Sequence, residues 1–168
     1  ATISGRFYAM DRDQRWERTE LFFNSLVSGQ GQVFNSPQDF IKEQYQLGIT
    51  DEFIKPAVSR SYKGVQIGKD GIIFMNFRAD RIRQIAFSLC DPDFKDFPSV
   101  KKPIFSIGAS LVNYSDNLAE RLLTFFPKEQ TKNTVGDVIS AKGKKQLRIA
   151  ETEKYAHVTY FFNCGDET

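Results

Sequence analysis

Two arginines at the end of a predicted strand could form an anion clamp. Arg78 and Arg81 follow the apolar run IIFMNF, residues 72–77, and begin a helical pattern. In α/β proteins, ligands gather beyond the carboxyl ends of strands, and the start of the following helix attracts anions. Arginine is permanently charged, and its planar fork matches a carboxylate or a phosphate. The alternative is that Asp80 neutralises one of the two and the rest is ordinary surface.

A second pair of arginines, Arg6 and Arg12, lies in the segment GRFYAMDRD near the start of the sequence. Arg15 and Arg18 follow, and they share one face of the next predicted helix. The same fork chemistry would let this segment bind an anion. Spacing alone favours a solvated basic face, whose charges would pair with neighbouring carboxylates: Asp13, Glu17 and Glu20.

A lysine and a histidine late in the sequence are further candidates. Lys154 lies in the polar segment 151–157, between two apolar runs, where it could act as a positive point charge for a phosphate. A solvated loop lysine is the alternative. His157 is the only histidine and neither cysteine has CxxC spacing, so no zinc site is predicted. The sequence also has no Walker A, GxGxxG or GxSxG motif.

The elements that must position these residues alternate between helix and strand, which is typical of the α/β class. Apolar spacing, caps and glycine stops predict helices over residues 13–28, 36–47, 78–90, 115–126 and 134–143. Apolar runs predict strands over residues 72–77, 146–150 and 158–162, and one within 103–112. The polar stretch that follows Pro127 predicts a domain boundary.

Composition excludes several functional classes. The 168 residues include 23 Lys+Arg and 21 Asp+Glu, a net charge of +2, and 40% hydrophobic residues, which is typical of a globular chain. Bulk electrostatic binding of nucleic acid is therefore not expected. We find no apolar run of about 18 residues and no signal peptide, and Cys90 and Cys164 cannot build a disulfide framework. These features predict a cytoplasmic protein without nucleic-acid or membrane partners.

Four blocks of the sequence resemble the cofactor-independent phosphoglycerate mutases, the class that needs no bisphosphoglycerate. They are GRFYAMDRDQRWER (5–18), ITDEFIKPAV (49–58), IFMNFRADRIRQI (73–85) and KQLRIAETEKYAHVTYFFN (145–163). The blocks follow the order and spacing of that family and touch most of the sequence. Residues 95–135 are less distinctive.

The resemblance implies a protein with two α/β domains. One is alkaline-phosphatase-like, with two manganese ions and a serine nucleophile, and the other is an inserted phosphotransferase domain that binds substrate. On this basis residues 1–127 are part of the inserted domain, and 128–168 are a linker and a strand-containing segment of the phosphatase-like domain. The family interconverts 3-phosphoglycerate and 2-phosphoglycerate through a phosphoserine enzyme.

The resemblance also assigns roles to the candidate residues. Arg6, Arg12, Arg78 and Arg81 match the arginines that hold the carboxylate and phosphate of the substrate. Lys154 matches a catalytic lysine that helps to bridge the transferring group near the serine. Phosphoryl transfer depends on positioning and charge neutralisation, so the side-chain chemistry agrees with these roles.

Some features of the family have no counterpart here. The nucleophile motif and the metal ligands are absent, the first residue is Ala1 rather than methionine, and Thr168 follows closely on an apolar run. Ala79 stands where proline is common in the family, and Cys164 where glycine is usual. We therefore expect an internal fragment, inactive and metal-free alone, of an enzyme that is a monomer at full length.

Two other functions remain open on the sequence alone. One is another enzyme of the alkaline-phosphatase superfamily, such as a phosphopentomutase or a metal-dependent phosphatase. The other is a non-catalytic module that uses the same arginines to bind anions or RNA.

Overall fold

The computed structural model describes residues 1–98, 101–127 and 131–165. It separates into two compact units, Ala1–Pro127 and Lys128–Thr168, called the first and second unit below. The assignment of these parts to phosphotransferase and phosphatase-like domains stays a prediction. None of the helices in the described ranges is long and apolar enough to cross a membrane.

The first unit alternates between helices and strands and forms two three-stranded sheets. Its elements are β1 (Thr2–Ile3), α1 (Arg6–Ala9), α2 (Trp16–Ser28), β2 (Gln32–Phe34), α3 (Pro37–Gln46), a 3-10 turn (Asp51–Phe53), β3 (Ala57–Ser59), β4 (Ile72–Phe74), α4 (Ala79–Cys90), β5 (Gly108–Val112), α5 (Asp116–Ala119) and β6 (Leu123–Phe126). In the order β1-β3-β2, β1 is antiparallel and β2 parallel to β3, whereas β4-β5-β6 is wholly parallel. The predicted α/β class is confirmed.

Helices α2 and α3 form largely where caps and apolar spacing predict them. Gly29 ends α2 with φ +63°, a left-handed conformation that glycine adopts without strain. Ser36 caps α3, and its Oγ accepts a hydrogen bond from the Asp39 N–H at 3.3 Å. Helix α2 begins at Trp16, three residues later than predicted. The helix starts later because the Asp11 carboxylate binds the N–H groups of Asp13 and Arg15, which precede it.

The core of the first unit lies where α2 and α4 pack together with the β4-β5-β6 sheet. Helix α4 buries one face as predicted, and the apolar residues of that face are Ile82, Ile85, Ala86 and Leu89. They belong to the same buried cluster as Phe23 and Val27 of α2 and Phe74 of β4. Strand β4 ends at Phe74 rather than at residue 77. The hydroxyl of buried Tyr114 donates to the carbonyls of Phe74 and Asn76, at 3.1 and 2.6 Å, so this backbone bonds to a side chain instead of a strand.

The prediction of one helix over residues 115–126 is wrong. Ser115 caps a helix, but α5 ends at Ala119. The chain then forms β6, which lies parallel to β5 with Ala109 opposite Leu123. Strand β5 needs a hydrogen-bonding partner on the side away from β4, and this tertiary demand overrides the helical spacing of the segment.

The second unit contains the predicted capping box. Thr134 and Asp137 exchange hydrogen bonds between side chain and backbone, at 3.0 and 3.2 Å, at the start of α6 (Val135–Ala141). Gly143 follows with φ +63°.

The two strands predicted for the second unit are wrong. Residues 146–150 are irregular, and a 3-10 turn (Thr152–Lys154) leads into a π-helix (His157–Phe161). A strand needs a neighbour for its backbone groups, and the described part of this unit contains none. The backbone bonds locally instead, and Arg148 holds the irregular segment by donating to the Val158 carbonyl and the Asn163 side chain, at 3.2 and 2.8 Å.

The Tyr114 hydroxyl gives a test of the packing at the end of β4. We expect Tyr114→Phe to lower the free energy of unfolding by about 1–3 kcal/mol, because the buried carbonyl of Phe74 and the part-buried carbonyl of Asn76 lose their donor. Urea unfolding measures the change. Tyr8→Phe is the control, since the described residues offer the Tyr8 hydroxyl no hydrogen bond. Equal losses in the two variants would contradict the assignment.

The two cysteines should differ in reactivity. Burial raises the pKa of the Cys90 thiol to about 12, against a smaller opposing effect of the Arg121 charge, whereas Cys164 is exposed. Because the thiolate is the reactive form, an aromatic disulfide reagent at pH 8 should modify Cys164 rapidly and Cys90 only after unfolding. Cys164→Ser should then abolish the fast phase, and a fast phase that persists would show this interpretation to be incorrect.

Candidate anion-binding site

The first unit brings the four predicted arginines together. Arg6 opens α1, Arg12 lies in the loop before α2, Arg78 is the N-cap residue of α4, and Arg81 lies in its first turn. Burial lowers the pKa of Arg81, and the positive charges of the other three arginines act in the same direction. This repulsion between the arginines indicates a concentrated cationic site built from three separate elements.

Asp80 lies between two of these arginines. Its carboxylate accepts a hydrogen bond from Arg12 Nη1 at 2.6 Å and from Arg78 Nε and Nη2 at 2.7 and 3.1 Å. The sequence suggested that Asp80 neutralises one arginine, and the structure shows that it contacts two. Burial favours a raised pKa for Asp80, but the hydrogen bonds and charges of Arg78 and Arg12 outweigh burial and lower it.

Arg6 is paired in a more exposed setting. A Cβ on Gly5 would lie 2.2 Å from the Glu52 carbonyl oxygen, so only glycine permits this close approach of the two backbones. Arg6 Nη2 then lies 2.9 Å from Glu52 Oε2, with 58% and 40% of the two side chains exposed. An exposed ion pair contributes little to stability, so Arg6 can exchange Glu52 for an incoming anion.

A buried hydrogen-bond network fixes the loop that carries Arg12. The Asp11 carboxylate accepts the N–H groups of Asp13 and Arg15, at 3.1 and 2.9 Å, and the Gln84 side-chain amide at 2.9 Å. Gln84 also accepts the N–H of Gln14 at 3.1 Å. Since Gln84 lies one turn beyond Asp80 on α4, that helix holds both the backbone of the loop and its arginine side chain.

The position of Asp11 before a predicted helix indicates a carboxylate that meets free backbone N–H groups, and the structure confirms this for the N–H groups of Asp13 and Arg15. The contact of Asp11 with Gln84 was not predicted from the sequence. Gln84 gave no such signal, because a glutamine on a helix becomes a loop clamp only through its tertiary neighbours.

Arg18 joins the two helices that flank the loop. Its guanidinium carbon lies 3.7 Å from the centre of the Phe7 ring, and its Nη1 lies 3.5 Å from Asp11. It therefore uses Asp11 rather than the carboxylates suggested by the sequence. Arg15 is exposed at the start of α2.

Arg81 differs from the other three arginines. Within the ranges that the structure describes, no carboxylate forms an ion pair with it, and its side chain is half-buried. It also lies beside the start of α4, where the N-cap residue supplies no side-chain hydrogen bond to the free N–H groups. Arg81 is therefore the cation with most to gain from an added anion.

Lys154 belongs to the second unit. Its Nζ lies 3.3 Å from Glu151 Oε1, and both side chains are largely exposed. The ring of His157 lies 5.2 Å from that of Phe161. A common site that includes Lys154 and the four arginines stays a prediction.

The described residues do not fit the two manganese ions that the sequence resemblance implies. Nowhere in these ranges do three His, Cys, Asp or Glu side chains lie together in a group that could hold a metal.

Comparison with known proteins agrees with this architecture. A family model described as "BPG-independent PGAM N-terminus (iPGM_N)" matches residues 1–116. The chain belongs to the 2,3-bisphosphoglycerate-independent phosphoglycerate mutase family. Mutases of that name from Methanococcoides burtonii and Wolinella succinogenes are each 46% identical to it, over 99% and 100% of its length.

A solved member of the phosphoglycerate mutases has a similar fold. The Leishmania mexicana phosphoglycerate mutase, determined at low cobalt concentration, superposes with a TM-score of 0.79 and 26% identity over 100% of this chain. The chain covers 32% of that structure and 33% of the two relatives, so it spans about a third of the mutases that it matches.

The paired state of Asp80 predicts a pH dependence of stability. A carboxyl group whose pKa is lower in the folded protein stabilises the fold at pH values above its unfolded pKa, which is near 3.8 for Asp80. This stabilisation is lost as the pH falls through the pKa of the folded state. Urea unfolding between about pH 5 and pH 2 should show a decline for the wild type that is shallower in Asp80→Asn. Curves of equal slope would contradict the pairing.

Proposed function

We propose that the four arginines bind a small acid that carries both a phosphate and a carboxylate. We further propose that the whole protein interconverts 3-phosphoglycerate and 2-phosphoglycerate, as the names of the mutase relatives suggest. The observation that carries this proposal is the convergence of four arginines from three elements around the start of α4, in a chain of this family.

The charge balance of the site supports such a ligand. Four guanidinium groups with Asp80 and Glu52 leave a net charge of +2, which is suited to a ligand with more than one negative group. Burial lowers the pKa of Arg81, and the neighbouring arginines lower it further, so its charge is destabilised in the free protein. A bound dianion relieves this destabilisation and gains bidentate hydrogen bonds.

The arrangement also suits phosphoryl transfer. Such reactions require a phosphate held in a fixed position with its charge neutralised, and arginine forks provide both. In the proposed reaction the arginines hold the glycerate while its phosphate passes to and from a serine. The proposal assigns Lys154 to neutralising the transferring group.

The proposal does not draw the nucleophilic serine or the manganese ligands from the residues that the structure describes. Metal dependence is suggested by the family resemblance, and the related Leishmania mexicana structure was determined in the presence of cobalt. The part of the reaction assigned to the present chain is recognition of substrate, and we expect no mutase activity from these 168 residues alone.

Arg81 provides the sharpest test of substrate recognition. Charge-assisted hydrogen bonds contribute about 1.5–3 kcal/mol, so Arg81→Ala should weaken binding of 3-phosphoglycerate by about ten- to a hundredfold. Isothermal titration calorimetry with the purified chain measures this affinity. Arg60→Ala is the matched control, because Arg60 is an exposed arginine outside the cluster.

The same titrations separate this proposal from the alternatives. Arg81→Ala with wild-type affinity, or an equal loss in Arg60→Ala, would contradict the proposed site. Preference for an RNA oligonucleotide, with an affinity that falls steeply as salt rises, would favour the binding-module alternative.

A further inference from the structure

We propose that Asp80 is a positioning residue that sets the spacing of Arg12 and Arg78, so that the site selects a ligand with two anionic groups over a single phosphate. The selectivity part of this inference rests on the proposed function. The positioning part concerns only side chains of this chain and can be tested without ligand.

The geometry around Asp80 is that of a bridge. Arg12 lies 68 residues away in sequence and reaches Oδ2, while Arg78 reaches Oδ1 with its Nε and Oδ2 with its Nη2. Both carboxylate oxygens are therefore used, and the position of one guanidinium constrains the other. A carboxylate that merely balanced charge would not need three hydrogen bonds to two arginines.

Burial strengthens this constraint. Only 15% of the Asp80 side chain and 17% of the Arg12 side chain are exposed, compared with 58% and 40% for Arg6 and Glu52. A largely buried carboxylate is costly unless it is paired, so the contact of Asp80 with Arg12 has little freedom to open, whereas 44% of the Arg78 side chain is exposed. The Arg6–Glu52 pair has the same charges but lacks the burial and the second arginine.

The backbone on each side of the bridge is also held. Gln84, one turn beyond Asp80, binds the Asp11 carboxylate and the Gln14 N–H on either side of Arg12. Helix α4 therefore fixes the start of the Arg12 side chain through Gln84 and its end through Asp80. Movement of the Arg12 guanidinium away from Arg78 requires its contact with Asp80 to break, and movement of the loop backbone requires the Gln84 contacts to break as well.

Fixed spacing has a consequence for selectivity. Without the bridge, two like charges repel, and ligand binding must also overcome the entropy of ordering both side chains. An inorganic phosphate is compact, so mobile arginine side chains can adjust their positions to bind it. A phosphoglycerate presents its phosphate and carboxylate at a separation set by its own bonds, so it gains more from arginines that are already in place.

Three variants separate positioning from simple charge balance. Asp80→Asn removes the charge and replaces one of the two acceptor oxygens of the bridge by a donor. Asp80→Glu keeps the charge but displaces the carboxylate by one methylene group. Glu52→Gln is the matched control, because it removes one negative charge beside one arginine of the same cluster.

Calorimetric titration of the purified chain with 3-phosphoglycerate and with inorganic phosphate gives the selectivity ratio. We expect Asp80→Asn to lower the preference for 3-phosphoglycerate about tenfold and Asp80→Glu to lower it about threefold. Glu52→Gln should change both affinities in the same direction and preserve the ratio. Ratios for both Asp80 variants that match the wild type and the control would overturn the proposal.

A measurement without ligand tests positioning directly. In arginine-labelled protein, hydrogen exchange of the Arg78 Nε–H should be slow in the wild type, because this group donates to Asp80 at 2.7 Å, and fast in Asp80→Asn. Equal exchange rates would overturn the proposal. A wild-type chain that binds no 3-phosphoglycerate would contradict the proposed function, and the exchange rates would still decide whether Asp80 positions the arginines.

Discussion

Repulsion between like charges is the constraint on which this site depends. Four guanidinium groups brought together raise one another's energy, and at Arg81 this repulsion adds to the effect of burial in lowering the pKa. Asp80 offsets part of the cost by binding two arginines at once, and Glu52 offsets a further part at the exposed edge. A residual positive charge is left, which is the property that an anion-binding site requires.

The fold meets this constraint by making the start of α4 the common point of the site. The chain leaves the parallel sheet at β4, and Tyr114 fixes the following backbone through two carbonyls. The helix then supplies Asp80 in its first turn and Gln84 in its second, and these two side chains hold the distant loop of Arg12. Glycine at position 5 serves the other edge, where it lets the backbone approach Glu52 closely.

Prediction from sequence succeeded where the signals were local. The sequence predicted the serine and threonine caps, the glycine stops and the buried face of α4, because each of these features depends on residues within a few positions. Errors arose where hydrogen bonding between distant segments decides the structure. Residues 123–126 form a strand because they pair with β5 on the side away from β4. Residues 158–162 do not form a strand, because the described part of their unit offers no strand with which they could pair.

The same division applies to the site. Its chemistry follows from residue types and short motifs: permanent positive charge, planar forks, an arginine at the end of a strand, and blocks specific enough to identify a mutase family. The pairing of Arg6, Arg12 and Arg78 with carboxylates, and the lack of such a pairing for Arg81 among the described residues, emerge only when the chain is folded. Ion pairs form through space, and although Arg12 and Asp80 are 68 positions apart, no periodic pattern in the sequence indicates their contact. A charge pattern can therefore specify a kind of ligand, whereas packing determines how the binding groups are held.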